Sequence, residues 1–188
     1  TATYPSSIAG ENGRLTYCGY DIADIAARAS YEETAFLLWY QRLPAANELG
    51  LLSDWLRSNR ALPRMVWGIM HSLPEQATPM EALRTVASTL SMFDRACIHE
   101  ERGGSSLCRC VSLTAKLPTI VASFDRLRRG RPPIEPRADL AHAANFLYML
   151  TGEEPDQRAA TALEKYFVLL ADHGMNAKTR CYDLERVC

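Results

Sequence analysis

A chain of 188 residues with 47% hydrophobic and 23% charged content is long enough to enclose a core and too apolar for wholesale disorder. Its formal net charge of -1 offers no electrostatic footprint, so neither nucleic acid nor a membrane is expected as a partner. No signal peptide and no bilayer-length apolar run is read, and the cysteines, five of six at or after Cys97, are expected as reduced thiols of a cytoplasmic protein.

The first element reads as a β-hairpin. Ser7-Ile8-Ala9 and Arg14-Leu15-Thr16-Tyr17 flank Glu11-Asn12-Gly13, and Asn-Gly tolerates the positive φ of a tight turn. The rest reads as helix. Ser30 and Glu33 form an S-x-x-E capping box ahead of Phe36, Leu37 and Tyr40, down to Leu43-Pro44. Asn47 is expected to cap a helix running through Arg60, with Leu51, Leu52, Trp55 and Leu56 as its buried stripe. A short helix lies around Met65 to Met70.

Thr78-Pro79-Met80-Glu81 combines a capping threonine, a proline at the first helical position and a glutamate that closes the box. Leu83, Val86, Ala87 and Leu90 continue it as an apolar side. Residues Glu100 to Ser106 are polar and glycine-bearing, the composition of a loop. An apolar helix follows from about Leu107 to Arg129, with a kink expected at Pro118, and Gly130 ends it. The arginines 126, 128, 129 and 131 then complement a helix C-terminus rather than form a nucleic-acid patch. The prolines 132, 133 and 136 make an extended connector. Asp139 is expected to cap a helix from Leu140 to Leu150 closed by Gly152, and a last helix runs from Asp156 to Asp172, delivering His173 at its end. These helical stretches and one hairpin predict a predominantly α fold with little room for a nucleotide-binding sheet.

Chemistry-bearing spacings are few. Cys97, His99, Cys108 and Cys110 do not have the spacing of the usual zinc knuckles, so no metal site is expected. Ser105 and Ser106 lack a Gly-x-Ser-x-Gly elbow, and no glycine-rich phosphate loop occurs. His71 and His99 stand outside any motif, and His142 beside Asp139 reads as structural.

Several blocks in fixed order carry a family resemblance. They are Gly19-Tyr20-Asp21-Ile22, Tyr31-Glu32-Glu33-Thr34-Ala35-Phe36-Leu37-Leu38, Thr78-Pro79-Met80 with Leu83-Arg84-Thr85, and Ala115-Lys116-Leu117-Pro118-Thr119-Ile120-Val121-Ala122. Two more follow, from His142 through Asn145-Phe146-Leu147-Tyr148 to Gly152-Glu153-Glu154-Pro155-Asp156, and Ala171-Asp172-His173-Gly174-Met175-Asn176-Ala177. Over residues 7 to 179 the chain resembles the amino-terminal half of citrate synthase or 2-methylcitrate synthase, large-domain portion.

The resemblance implies a citrate synthase-like helical large domain, incomplete, over residues 1–179, with a divergent tail at 180–188 and no small domain. It implies an acyltransferase of the tricarboxylic acid cycle that condenses acetyl-CoA with oxaloacetate, both as substrates, with no tightly bound cofactor and no metal. In such enzymes an aspartate deprotonates the thioester methyl, one histidine stabilises the enol and a second polarises the oxaloacetate carbonyl. By the resemblance, His173 is the histidine that binds oxaloacetate, with Asn176 beside it, and neither belongs to that catalytic trio.

No Pro-Leu-His-Gly and no Gly-His-Arg-Val segment occurs, so no catalytic residue is assigned, and a truncated or frameshifted chain, inactive alone, is expected. Lys178, Leu170 and Cys18 depart from the serine, histidine and arginine usual in the family. The choice between acetyl-CoA and propionyl-CoA is not read from this half. Helices 78–90 and 107–129 resemble ones that pack across a dimer interface, so a homo-oligomer is expected. The alternative reading is a non-catalytic helical dimerisation or regulatory module derived from the same fold.

Overall fold

Strands β1 (Ser6–Ala9) and β2 (Arg14–Tyr17) pair antiparallel as the predicted hairpin, with Ser6 opposite Tyr17 and Ala9 opposite Arg14. The computed structural model describes residues 6–9, 14–93 and 104–172, so the Asn12-Gly13 turn lies outside the described residues. A third strand, β3 (Tyr20–Asp21), is not foreseen from sequence. Cys18 at φ 48° and Gly19 at φ 87° reverse the chain between β2 and β3, the signature of a two-residue primed hairpin turn. Cys18 takes the left-handed region at a steric cost that glycine escapes.

The chain forms two compact units, residues 1–49 with 161–188, and residues 50–160. The expected boundary at 179/180 lies outside the described residues.

In the first unit, Asp21 accepts from the Ala23 amide at 3.0 Å and so caps α1 (Ile22–Arg28). Helix α2 (Tyr31–Tyr40) carries the predicted box: the Glu33 amide donates to Ser30 Oγ at 3.1 Å and the Ser30 amide to Glu33 Oε2 at 2.7 Å. Gln41 ends it at φ 60°. Helix α3 (Ala46–Ser58), which begins in this unit and continues into the second, starts two residues earlier than expected, which places Asn47 inside its first turn. Glu48, at the third position, accepts the Ala45 amide at 2.9 Å and also binds Arg42, so a carboxylate does what an asparagine cap was expected to do. Tyr17, Ile25, Leu37 and Val168 form this unit's buried cluster.

The second unit is helical. It holds α4 (Arg64–His71), α5 (Pro79–Leu90), α6 (Gly104–Arg128) and α7 (His142–Thr151), while α8 (Gln157–Leu169) begins in it and runs into the first. Both halves of the Thr78/Glu81 box form, with Pro79 in the first turn. One face of α5 buries Ala82, Val86 and Leu90 against Val66, Met70, Ile120 and Phe124. Leu52 and Leu56 of α3 are buried, but Leu51 is 71% exposed, because it lies one residue off the inward stripe.

Four expectations need correcting here. Helix α6 takes in positions 104–106, since serine suits a first turn as well as a loop. Helix α7 begins at His142 behind Ala141 with no side-chain cap, because Asp139 is drawn instead to the Arg137 guanidinium. Cys108 is placed in a disulfide instead of as the reduced thiol expected, whereas Cys18 and Cys110 are free thiols. Finally, Leu107–Arg128 has a mean hydropathy of 1.3 over its most apolar window, long and apolar enough to cross a membrane by composition. Lys116 breaks the run to the eye but is diluted in the average. Half of that window is buried, and α6 packs on α5 and α7 as a core helix does.

Buried polar groups tie the second unit's connector to its helices. Arg60, 2% exposed, donates from Nη1 to the carbonyls of Arg137 at 2.6 Å and Leu140 at 2.8 Å, and its own carbonyl accepts from Thr119 Oγ1 at 2.9 Å. Asn145 Oδ1 accepts the Arg137 amide at 2.8 Å. The Pro-rich stretch thus has its backbone held by Arg60, by Asn145 of α7 and, at the Pro132 carbonyl, by Arg126 Nε of α6 at 2.7 Å, in place of a ladder of its own.

Candidate functional site

His173 and Asn176, the residues assigned from sequence, lie outside the described residues. What is described is the approach to them, the end of α8 through Asp172. Asp156 Oδ2 accepts the amides of Arg158 at 3.1 Å and Ala159 at 3.2 Å and so opens α8. The helix ends at Leu169, three residues short of the expected Asp172. A helix end leaves carbonyls without an intrahelical donor. Here the phenol of Tyr17, 0% exposed, meets them: Oη lies 3.1 Å from the Leu169 carbonyl and 2.9 Å from the Asp172 carbonyl. The Asp172 amide in turn donates to the same oxygen at 3.2 Å.

One hydroxyl has one proton, so it donates to one carbonyl at a time or shares it, while a lone pair accepts the amide. Residue 172 is therefore held at both its backbone groups by a side chain 155 residues away in sequence. Sequence reading missed Tyr17. A tyrosine at the end of a strand carries no local sign of a partner so far along the chain. The one signal was its position next to the Cys18-Gly19 turn, where the family block begins.

The electrostatics of this corner are acidic. Burial raises the Tyr17 phenol above its usual value, the bond with the Asp172 backbone opposes this, and the Asp172 charge adds to it. Burial and then the Asp172 charge raise the Cys18 thiol, whose Sγ donates to the Leu37 carbonyl at 3.4 Å. The Tyr31 phenol is pushed up to about 12 by burial and by Glu32. Glu164 is raised by burial and by Glu32 and Glu33, against the Tyr31 amide that it accepts at 3.3 Å. The charges acting on these groups are all carboxylates. An anionic substrate would find no attraction in them, so its binding must rest on other donors.

The remaining described candidates belong to the second unit. His71 is on α4 with Nδ1 2.7 Å from its own helix's Trp67 carbonyl. His142 is 4% exposed in the second unit, its pKa pushed down to about 3 by burial and by Arg60. His99 and Cys97 lie outside the described residues, and Cys110 is an exposed free thiol.

Comparison with known proteins places this geometry in context. A family model described as citrate synthase, C-terminal domain, matches residues 1–183. Citrate synthase from Haloferax volcanii is 45% identical over 177 residues, covering 93% of this chain and 47% of that protein. A 2-methylcitrate synthase from Mycobacterium tuberculosis is 40% identical over 174 residues, covering 93% of this chain and 44% of its own length. Among solved structures, citrate synthase from Pyrobaculum aerophilum superposes with a TM-score of 0.83 at 34% identity, over 94% of this chain and 46% of that one. The chain spans just under half the length of the curated relatives it matches.

Proposed function

This chain belongs to the citrate synthase family, and from that premise we propose that it carries the oxaloacetate-holding edge of a citrate synthase cleft, His173 with Asn176, without the means to complete the reaction alone. The supporting observation is a similarity of 45% identity over 177 residues, confined to 47% of the relative's length. The condensation needs a base to take a proton from the thioester methyl and donors to hold the enol and the ketone oxygen. The family segments that would supply them have no counterpart in this sequence. An imidazole and an amide side chain can hold a carboxylate or ketone oxygen by hydrogen bonds, and an imidazole so engaged is not free to take the methyl proton as well.

The substrates by this reading are oxaloacetate and an acyl-CoA, acetyl-CoA in the ordinary case, in the cytoplasm and in the tricarboxylic acid cycle. Self-association through the α5 and α6 face belongs to the same reading. Met80 of α5 and Leu113 and Val121 of α6 are exposed in the second unit, as apolar side chains of an uncovered interface would be.

The deciding assay is CoA release from acetyl-CoA and oxaloacetate with this chain alone, beside a thermal-shift titration with oxaloacetate. No turnover with a saturable rise in Tm is expected. Turnover would refute the claim of incompleteness. Absence of both responses would leave the non-catalytic helical module as the reading to pursue.

A further inference from the structure

The second half of α6 faces α5 and α7 and leaves a recess of about 300 Å³ between the three helices, all of it within the second unit. Ile120 and Phe124, 0% and 5% exposed, form its floor. Leu83 of α5 with Phe146 and Leu150 of α7 makes the walls, and Val121 stands partly exposed at the mouth. The rim is charged. Arg129 Nε lies 2.9 Å from Asp125 Oδ2, both residues being on the wall, and Arg128 Nη2 lies 3.0 Å from Asp125 Oδ1. Arg126 Nη1 donates to the carbonyl of Leu150 at 3.2 Å.

We propose that this recess binds a medium-length aliphatic carboxylate, its chain against Leu83, Ile120 and Phe124 and its head on Arg129. The proposal goes beyond the oxaloacetate reading and does not depend on it. Size decides the first half of the assignment. A helix is about 10 Å across and cannot enter a recess of this volume, whereas an alkyl chain can. The walls offer that chain apolar surface and ask for no hydrogen bond in return. Charge decides the second half. Three guanidiniums meet one carboxylate at the rim, and the C-terminal dipole of α6 cancels only about half a charge of the excess. Asp125 is already shared by two arginines, so Arg129, its side chain 58% exposed, can turn to a second carboxylate at little loss. A neutral alkyl alcohol would forgo that charged contact, and an alkylammonium would meet like charge.

The test is a titration of the whole chain with octanoate, followed by nuclear magnetic resonance of isotope-labelled leucine and valine methyls. The methyls of Leu83, Val121 and Leu150 are expected to shift saturably, while those of Leu52 and Leu56 on α3 stay fixed. Octanoate should bind roughly tenfold more tightly than hexanoate, the difference of two buried methylenes. Octanol and octylammonium should bind at least about fivefold more weakly than octanoate. Shifts in no methyl, or the same shifts in all of them, would overturn the site. Equal affinity for octanoate and octanol would overturn the choice of an anion.

Two variants separate chain from head group. Arg129→Gln, at an exposed position, should bring octanoate down to the affinity of octanol and leave octanol binding as it was. Val121→Trp, which fills the mouth, should abolish binding of both. Variants that bind octanoate as the parent does would overturn the assignment. A second copy of the chain is the rival occupant, so the titration is run at two protein concentrations about tenfold apart. Methyl shifts that follow dilution and ignore octanoate would give the recess to that copy and overturn the proposal.

Discussion

Arg60 reaches the carbonyl of Arg137 at 2.6 Å across 77 residues of sequence, with its guanidinium buried beside the Pro-rich connector. The same Nη1 holds the Leu140 carbonyl at 2.8 Å, two residues before α7 begins at His142. A cation donating to two backbone carbonyls in a buried setting is a strong, costly arrangement, since removing it strands both acceptors.

Arg60→Met is therefore expected to lower stability by about 3 kcal/mol, part of the lost bonding being offset by no longer burying a charge. Arg60→Lys should lose about half as much, because a single ammonium keeps the charge but not the planar fork. Urea denaturation at pH 7 with an unchanged m-value would measure both. A midpoint for Arg60→Met within error of the parent would show that the connector is held by Asn145 and packing alone.

His142 sits next to this arginine in the electrostatic sense, and its pKa is held down near 3 by burial first and by Arg60 second. The unfolded chain has an ordinary imidazole, so below about pH 6.5 the unfolded state binds a proton that the folded state refuses. Stability from this group is complete above pH 6.5 and is lost progressively as pH falls toward 3. Going from pH 8 to pH 5 should cost about 2 kcal/mol that His142→Asn does not lose. Glu48, held down at about 2, acts in the same direction but only below the ordinary carboxyl range. Glu164, held high, acts in the opposite direction and is common to both chains, so it cancels in the comparison. Parallel pH profiles for the two proteins would sink the assignment.

Much of this fold is legible in the sequence where the signal is local. Ser30 with Glu33 and Thr78 with Glu81 announce helix starts because cap and acceptor are three residues apart, and both boxes form. Gly152 announces an ending because only glycine takes φ 89° without penalty. Where the partner is distant, the reading fails. Asp139 looks like a cap until Arg137, set by its own contacts to Glu154 and over the Tyr148 ring, claims the carboxylate. Tyr17 is invisible as a site residue for the same reason, since nothing near it in sequence names Asp172. The two residues that sequence did assign to the site, His173 and Asn176, came from family resemblance and not from any spacing.

The two helix-ending glycines of the second unit should differ in their tolerance of a side chain. Gly130 sits at φ 67° with open space where a Cβ would go, and Gly152 at φ 89° with Ile134 Cδ1 only 3.1 Å from that point. Gly130→Ala should then cost about 1 kcal/mol, the left-handed penalty alone. Gly152→Ala adds a contact that a leucine-sized neighbour can relieve only by turning, so about 2 kcal/mol is expected. Thermal unfolding of the two variants side by side would check the ordering. Equal losses would mean that the Ile134 side chain moves aside freely.

The proposed self-association draws on what the second unit leaves uncovered. Met80 of α5 is 70% exposed and Met65 of α4 67%. A cavity of about 300 Å³ lies between α5, α6 and α7, lined by Leu83, Val121, Phe124, Phe146 and Leu150, with Asp125 and Arg129 also on its wall. Apolar side chains scattered singly over a surface are ordinary, but an apolar recess with an apolar neighbourhood is the form of an interface. Val121 belongs to both sets, being 37% exposed and on the cavity wall. Sedimentation velocity at tens of micromolar, an ordinary range for a weak dimer, is expected to give a parent species heavier than a monomer. Val121→Glu should shift it to the monomer without loss of helicity, because the new carboxylate would have to be buried unpaired in the interface and can stay in water on the free chain. Thermal stability of the variant at low concentration should match that of the parent, since the side chain is partly solvated there. A parent that sediments as a monomer throughout would remove the α5 and α6 face from the proposal and leave the cavity as a feature of the fold.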